Sequence, residues 1–150
     1  MNKFFLLLII LTISYGCSYE PMLATKNFDF KFEKIIYQGD PKINDIIKND
    51  LTRKSNGNKI YSINFTTKKY REILSSNEKG DPTKFKLKIE TSYFLTQKDE
   101  IIFENKILRQ VIYNNISDKF ELSQYEDNIT KNLSHNISSE ILMNTVSLSK

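Results

Sequence analysis

The chain has a single cysteine, Cys17, standing directly after the small residue Gly16 and just beyond an apolar run from Phe4 to Ile13. Lys3 supplies the positive start of a secretory leader, the run supplies its apolar centre, and Ser14 and Gly16 are the small residues near the cut. The run is too short to cross a bilayer. A thiol at this one position has a defined covalent chemistry: its sulfur takes a diacylglycerol as a thioether, and cleavage before Cys17 frees an amine for a further acyl chain. At about 0.8 kcal/mol per buried methylene, one chain binds a membrane reversibly, whereas two or three hold a protein there lastingly. The opening stretch therefore reads as a lipidation site, with residues 1–16 removed and 17–26 forming a tether at the membrane surface.

Other reactive groups are few. His135 is the only histidine, so Cys-His and histidine-rich metal sites are excluded, and a Ser-His-Asp triad would have to be built around the polar flank of one helix. The four glycines form no phosphate-cradling pattern. Acidic pairs such as Asp99-Glu100 read as solvated charge in turns. These absences point away from an enzyme and from any cofactor or metal. The remaining candidate is the row Lys84, Lys86, Lys88, with Lys79 in the preceding turn and Arg71 and Lys69 nearby in sequence. Alternate residues of a strand stand in one row about 7 Å apart, a spacing suited to phosphate-bearing ligands such as those of lipopolysaccharide. The same lysines also serve simply to keep an exposed strand soluble.

The elements that must position these groups follow from periodicity. Phe28, Phe30 and Phe32 alternate with charged residues, and the apolar parity then shifts to Ile35 and Tyr37, which predicts a strand with a bulge near Glu33-Lys34. Asp40 and Pro41 open a helix carrying Ile43, Ile46, Ile47 and Leu51, with Gly57 as its expected stop. A second strand is predicted over Lys59 to Thr67, decaying in the charged segment Lys68 to Glu72. After the Gly80-Asp81-Pro82 turn, Phe85, Leu87, Ile89, Tyr93 and Leu95 share one face of the clearest strand, with the lysines opposite. Gln97-Lys98-Asp99 turns into a returning strand with Ile101, Phe103, Ile107, Val111 and Tyr113 at one parity, interrupted by Asn105 and Arg109. From Ser117 or Asp118 a long helix begins, with Leu122, Tyr125, Ile129, Leu133 and Ile137 in one stripe and its other side left to solvent or a partner. The expected fold is α+β, a two-layer sandwich of two helices packed on one face of a four-stranded sheet in the order β-α-β-β-β-α, as a single domain over 27–150.

Removing residues 1–16 from the 150 leaves 134, enough for one core, and takes the formal charge from +4 to +3. So slight an excess, spread along the chain, is too weak to argue for a nucleic-acid partner, and none is expected. With Cys17 acylated no disulfide is possible, so packing alone must stabilise the domain, and ten Phe and eight Tyr can supply it.

Several landmarks recur in one known family. Cys17-Ser18-Tyr19-Glu20-Pro21-Met22-Leu23, Arg71-Glu72-Ile73, Gly80-Asp81-Pro82 before a strand, Tyr113-Asn114-Asn115, and Phe120-Glu121 before a long helix together resemble alphaproteobacterial members of the LptE family. Asp81-Pro82 departs from the family, which often carries other polar residues there. The resemblance implies a non-enzymatic lipoprotein held by its lipid anchor on the periplasmic side of the outer membrane. It implies that the partner is the LptD β-barrel and that the pair delivers lipopolysaccharide. Ser18 in place of the aspartate that retains lipoproteins at the inner membrane implies the same address. The rival readings are a generic outer-membrane lipoprotein adapter and a pilotin-like chaperone. Cys17→Ser removes the thiol that is alkylated, so incorporation of a fatty-acid probe should fall to background and the protein should leave the outer-membrane fraction.

Overall fold

The computed structural model describes residues 28–149; the expected leader 1–16, the expected tether 17–26 with Cys17, and Asn27 lie outside the described residues, as does Lys150. The elements are β1 (Phe28–Gln38), α1 (Pro41–Lys54), β2 (Ser55–Ser76), β3 (Pro82–Gln97), β4 (Glu100–Asn114) and α2 (Lys119–Leu148). The sheet order is β1-β2-β3-β4, with β1 parallel to β2 and the other neighbours antiparallel. Both helices lie on one face of this mixed sheet, as the alternating patterns require.

In β1, Phe28 and Phe30 are buried and Phe32, Ile35 and Tyr37 pack against the core. Pairing with β2 steps from Phe32 opposite Tyr61 to Lys34 opposite Ser62, which leaves Glu33 unpaired and switches the inward parity. Asp40 caps α1, its carboxylate accepting from the Ile43 N–H at 3.1 Å, and Pro41 occupies the first turn, where its missing donor costs nothing. Gly39 makes the tight entry possible: its φ is +110°, and a Cβ there would meet the Thr67 carbonyl oxygen at 2.0 Å.

Gly57 does not stop the helix. Ser55 caps it, its backbone N–H and hydroxyl both returning to the Leu51 carbonyl, and the chain passes directly into β2. Gly57 instead lies where β1 crosses close above, so that a Cβ would sit 2.2 Å from the Asp29 carbonyl carbon. β2 is also longer than its apolar alternation suggests, running through Lys68 to Glu72 as far as Ser76. The charged residues there are not a loop. Lys68 faces Glu90, Tyr70 faces Lys88 and Glu72 faces Lys86 across the β2–β3 ladder, and such opposite-charge and aromatic pairs support a strand as well as apolar ones do.

β3 buries Phe85, Leu87, Ile89, Thr91, Tyr93 and Leu95 on the helix side. The hairpin to β4 turns on Lys98 and Asp99, both with positive φ, as a two-residue turn needs to match the strand twist. In β4 Ile107 and Tyr113 are buried and Phe103 and Val111 pack against the core, but Ile101 does not share their face: a register step puts it opposite Thr96, on the uncovered side of the sheet, where it is 62% exposed.

Asp118 caps α2, accepting from the Phe120 and Glu121 N–H groups at 2.8 and 3.0 Å. Leu122, Ile129, Leu133 and Ile137 are buried as expected, with Ile141 and Leu142 extending the stripe, whereas Tyr125 is 44% exposed. The polar flank is not all solvated: Thr130, Ser134, Ser138 and Thr145 are wholly buried. The hydroxyls of Thr130, Ser134 and Thr145 donate to carbonyls one turn back, at 2.7, 2.8 and 2.8 Å, so they cost no unpaired polar atom where the helices approach. Leu133→Ala and Ile137→Ala should each cost about 2 to 5 kcal/mol in chemical denaturation. Lys131→Ala and Asn132→Ala, on the exposed side, should stay within about 0.5 kcal/mol.

Candidate functional site

Lys84, Lys86 and Lys88 point away from the helices, as their parity with Phe85, Leu87 and Ile89 demands. They do not form an uninterrupted cationic row. Lys86 Nζ lies 2.6 Å from Glu72, Lys88 Nζ lies 3.2 Å from Glu90 and 3.9 Å from Glu72, and Lys106 of β4 lies 3.1 Å from Glu90. The Lys88 ammonium also sits 4.5 Å from the Tyr70 ring centre. The result is a lattice of alternating charge across three strands. Its hydrogen bonds act on both signs: Lys86 holds the Glu72 carboxyl below its usual range, Lys106 and Lys88 do the same to Glu90, and Glu90 raises Lys88. Glu90 shares the lysine face by its parity, whereas nothing local assigns a face to Glu72, which belongs to a strand segment that does not alternate in hydrophobicity.

Lys84 is exposed at the end of this lattice and makes no ion pair among the described residues. Lys79 stands in the neighbouring turn, shaped by the Asn77 side-chain oxygen Oδ1, which accepts from the Lys79 and Asp81 N–H groups at 3.0 and 2.9 Å. Arg71 does not join them. It pairs with Leu87 in the ladder, and directly paired residues share a face, so its side chain lies on the helix side. There its Nε donates to Glu126 of α2 at 2.8 Å and its guanidinium covers the Phe85 ring at 3.8 Å. Tyr113 donates to the same Glu126 oxygen at 2.6 Å, and burial together with that carboxylate pushes the phenol up to about 12. Arg71, Tyr113 and Glu126 thus bolt the first half of α2 to the sheet. Arg109 plays a like part further along, pairing with Glu140, which is why its place on the inward face of β4 is tolerated.

The uncovered sheet face also holds an open depression of about 430 Å³ over Ser92, rimmed by Asn64, Thr66, Phe94, Glu104 and Lys106.

On the helical side, Asp50 of α1 is the joint between the two helices. Its side chain is 5% exposed, and its Oδ2 atom lies 2.6 Å from both the Ser138 hydroxyl and the His135 Nδ1 atom, while Oδ1 accepts from Arg53 at 3.1 Å. Serine, histidine and aspartate thus meet, but both Ser138 and His135 bind the carboxylate, and Ser138 is wholly buried. A nucleophilic triad instead needs the imidazole between the other two. No group of three or more His, Cys, Asp or Glu converges among the described residues, and no described helix is long and apolar enough to cross a membrane.

No protein-family model and no curated protein matches this sequence. Solved structures do. The chain resembles rare lipoprotein B from Shewanella oneidensis with a TM-score of 0.59 at 13% identity, over 77% of this chain and 96% of that one. It resembles lipoprotein B from Nitrosomonas europaea at 0.60 and 13%, over 83% and 90% of the two chains. A minor lipoprotein from Acinetobacter baumannii matches at 0.58 and 14%, over 79% and 95%. The fold is that of these lipoproteins. The likeness spans nearly the whole of each solved chain, so the two helices and four strands are a shared architecture.

Burial by itself would raise the Asp50 carboxyl, but hydrogen bonds from Ser138 and His135 and the charges of His135 and Lys54 outweigh it, leaving the group below its ordinary 3.8. A carboxyl depressed in the folded state contributes stability that is complete above about pH 4 and is lost as pH falls through its folded value. Unfolding free energy measured from pH 6 down to pH 2 should therefore drop less steeply below pH 4 in Asp50→Asn than in the parent. Asp50→Ala should cost about 1 to 3 kcal/mol at neutral pH, since it leaves Ser138 and His135 without their acceptor.

Proposed function

We propose that this protein is an outer-membrane lipoprotein of the lipopolysaccharide-assembly machinery, an LptE-type subunit that seats in an LptD-like β-barrel and supports its assembly without catalytic turnover. The observation that carries this reading is the coincidence of a lipidation signature at Cys17 with a fold shared with lipoproteins named rare lipoprotein B and minor lipoprotein. Neither feature depends on the other.

The dimensions support it. Cys17 lies eleven residues before Phe28, so an anchor there holds the start of β1 within about 40 Å of the membrane surface. β1 begins beside Ser55, and from that end the 22 residues of β2 extend about 70 Å along the strand. That length exceeds the bilayer, including its headgroups, of about 40 to 45 Å. A lipid-anchored domain of this length suits the lumen of a membrane barrel. Lys79 and Lys84 lie at the end remote from the anchor, where their ammonium groups are free to meet lipopolysaccharide phosphates, with Lys86 and Lys88 engaged by glutamates behind them.

Detergent extraction followed by affinity purification should recover an integral β-barrel with the protein, and depletion should lower both correctly assembled barrel and surface lipopolysaccharide. Normal export in cells lacking the protein would favour the generic adapter or pilotin-like chaperone. Lys79→Glu with Lys84→Glu should weaken lipopolysaccharide binding several-fold at low salt, with a smaller difference at high salt. Arg71→Ala should lower the melting temperature instead, through loss of the Glu126 and Phe85 contacts.

A further inference from the structure

The helices α1 and α2 run side by side in the same direction, Lys42 meeting Asp127 near their start and Asp50 meeting His135 and Ser138 further along. Beside that joint opens a cleft of about 430 Å³, lined by Ile46, Asn49, Asp50 and Arg53 from α1 and by Lys131 and His135 from α2. Asn49 and Arg53 are one turn apart on their helix, as are Lys131 and His135 on theirs, so two pairs of nitrogen-bearing side chains face each other across the opening. The one acid in the lining is already engaged. Asp50 gives Oδ2 to Ser138 and His135 and Oδ1 to Arg53, and it is almost without exposure.

The donors, in contrast, retain capacity. Arg53 spends one guanidinium nitrogen on Asp50 and its side chain is 73% exposed. Lys131 is exposed and makes no ion pair among the described residues. His135 gives Nδ1 to Asp50, so its Nε2 is a donor only while the ring is protonated and is not counted among them; the ring borders the space. The surplus is therefore of N–H donors around a space whose only carboxylate is occupied, and Ile46 adds an apolar wall.

Such a lining selects an anion that takes donors from several directions. A carboxylate, planar and singly charged, is satisfied by one guanidinium fork, whereas a phosphate monoester carries about −1.5 to −2 charge and three oxygens arranged for separate donors. We infer that the α1–α2 cleft is a binding site for a phosphate monoester group, held by Arg53 and Lys131 with Asn49, the His135 ring lying at its edge. This site lies on the helical layer, on the opposite side of the molecule from the lysine lattice, and is independent of the proposed partnership with a barrel. The phosphate can come from solution or from a lipid headgroup.

Because His135 is the only histidine, its two ring C–H signals report the cleft without ambiguity. Full-length acylated protein in zwitterionic micelles at pH 7.5 is titrated with orthophosphate, with sodium chloride at matched ionic strength as comparator, and separately with phosphatidic acid doped into the micelles. A saturable shift of the His135 ring signals by orthophosphate, beyond that from chloride, is the expected result and marks a soluble source; a shift by phosphatidic acid alone supports the same chemistry and marks a lipid source. Lys131→Gln should weaken the effective ligand about tenfold or more, and Lys131→Arg should restore most of the affinity, since charge-assisted hydrogen bonds are at stake. Lys131 is exposed, so equal melting temperatures for parent and variants are expected and keep the comparison one of binding. Shifts equal to those from chloride, no shift from either phosphate source, or an affinity unmoved by Lys131→Gln would overturn the assignment.

Discussion

Residues Phe85, Leu87, Ile89, Thr91, Tyr93 and Leu95 of β3 all face the helices, and because β3 is an interior strand, its period of two dictates the parity of β2 and β4 through the ladders on either side. A slip of one residue would turn this whole set to solvent and bring Lys84, Lys86, Lys88 and Glu90 under the helices, where their desolvation would go uncompensated. The division into an apolar inner face and a charged outer face thus rests on one strand. It also explains why Arg71 and Lys86, close in sequence terms to one cationic motif, end on opposite sides of the sheet.

The helical layer depends on a different device. Small hydroxyl residues let α1 and α2 approach, and each satisfies itself within its helix or, in the case of Ser138, on Asp50. A buried carboxylate with three partners is a strong constraint on how the helices slide, since displacing any partner leaves a charge in a poorly hydrated place. Thr67 and Asn44 make a second polar tie between β2 and α1, the threonine hydroxyl donating at 2.6 Å. Polar contacts here set position, while Phe30, Ile47, Leu51, Leu87 and Ile137 provide the burial that stabilises it.

The two faces suit different partners. The outer face is a network of paired charges with an open polar depression, and Lys84, without an ion pair among the described residues, stands at the end remote from the start of β1. The inner layer carries its surplus of donors in the cleft between helices. Both can address anionic groups, but the first presents ammonium groups at the tip of a long sheet and the second gathers its donors along an open groove between two helices.

Local pattern was sufficient wherever one periodicity ran unbroken. The bulge at Glu33, the Asp40-Pro41 and Asp118 caps, the whole of β3, the Lys98-Asp99 turn and the stripe Leu122, Ile129, Leu133, Ile137 were all legible, because each is decided by residues within a few positions of one another. The layer order followed, since two amphipathic helices and four half-apolar strands bury themselves together in few ways. What the sequence could not disclose were the long-range pairings. The extension of β2 through Lys68 to Glu72 is made favourable by β3, the role of Gly57 by the passage of Asp29, and the side taken by Arg71 by its ladder partner Leu87. The meeting of Asp50 with His135 and Ser138 joins residues more than eighty positions apart. Hydrophobic period is a property of one segment, but a charge finds its partner only after the segments have been brought together, and so the elements were written in the chain while the electrostatics of both faces were decided by the tertiary structure.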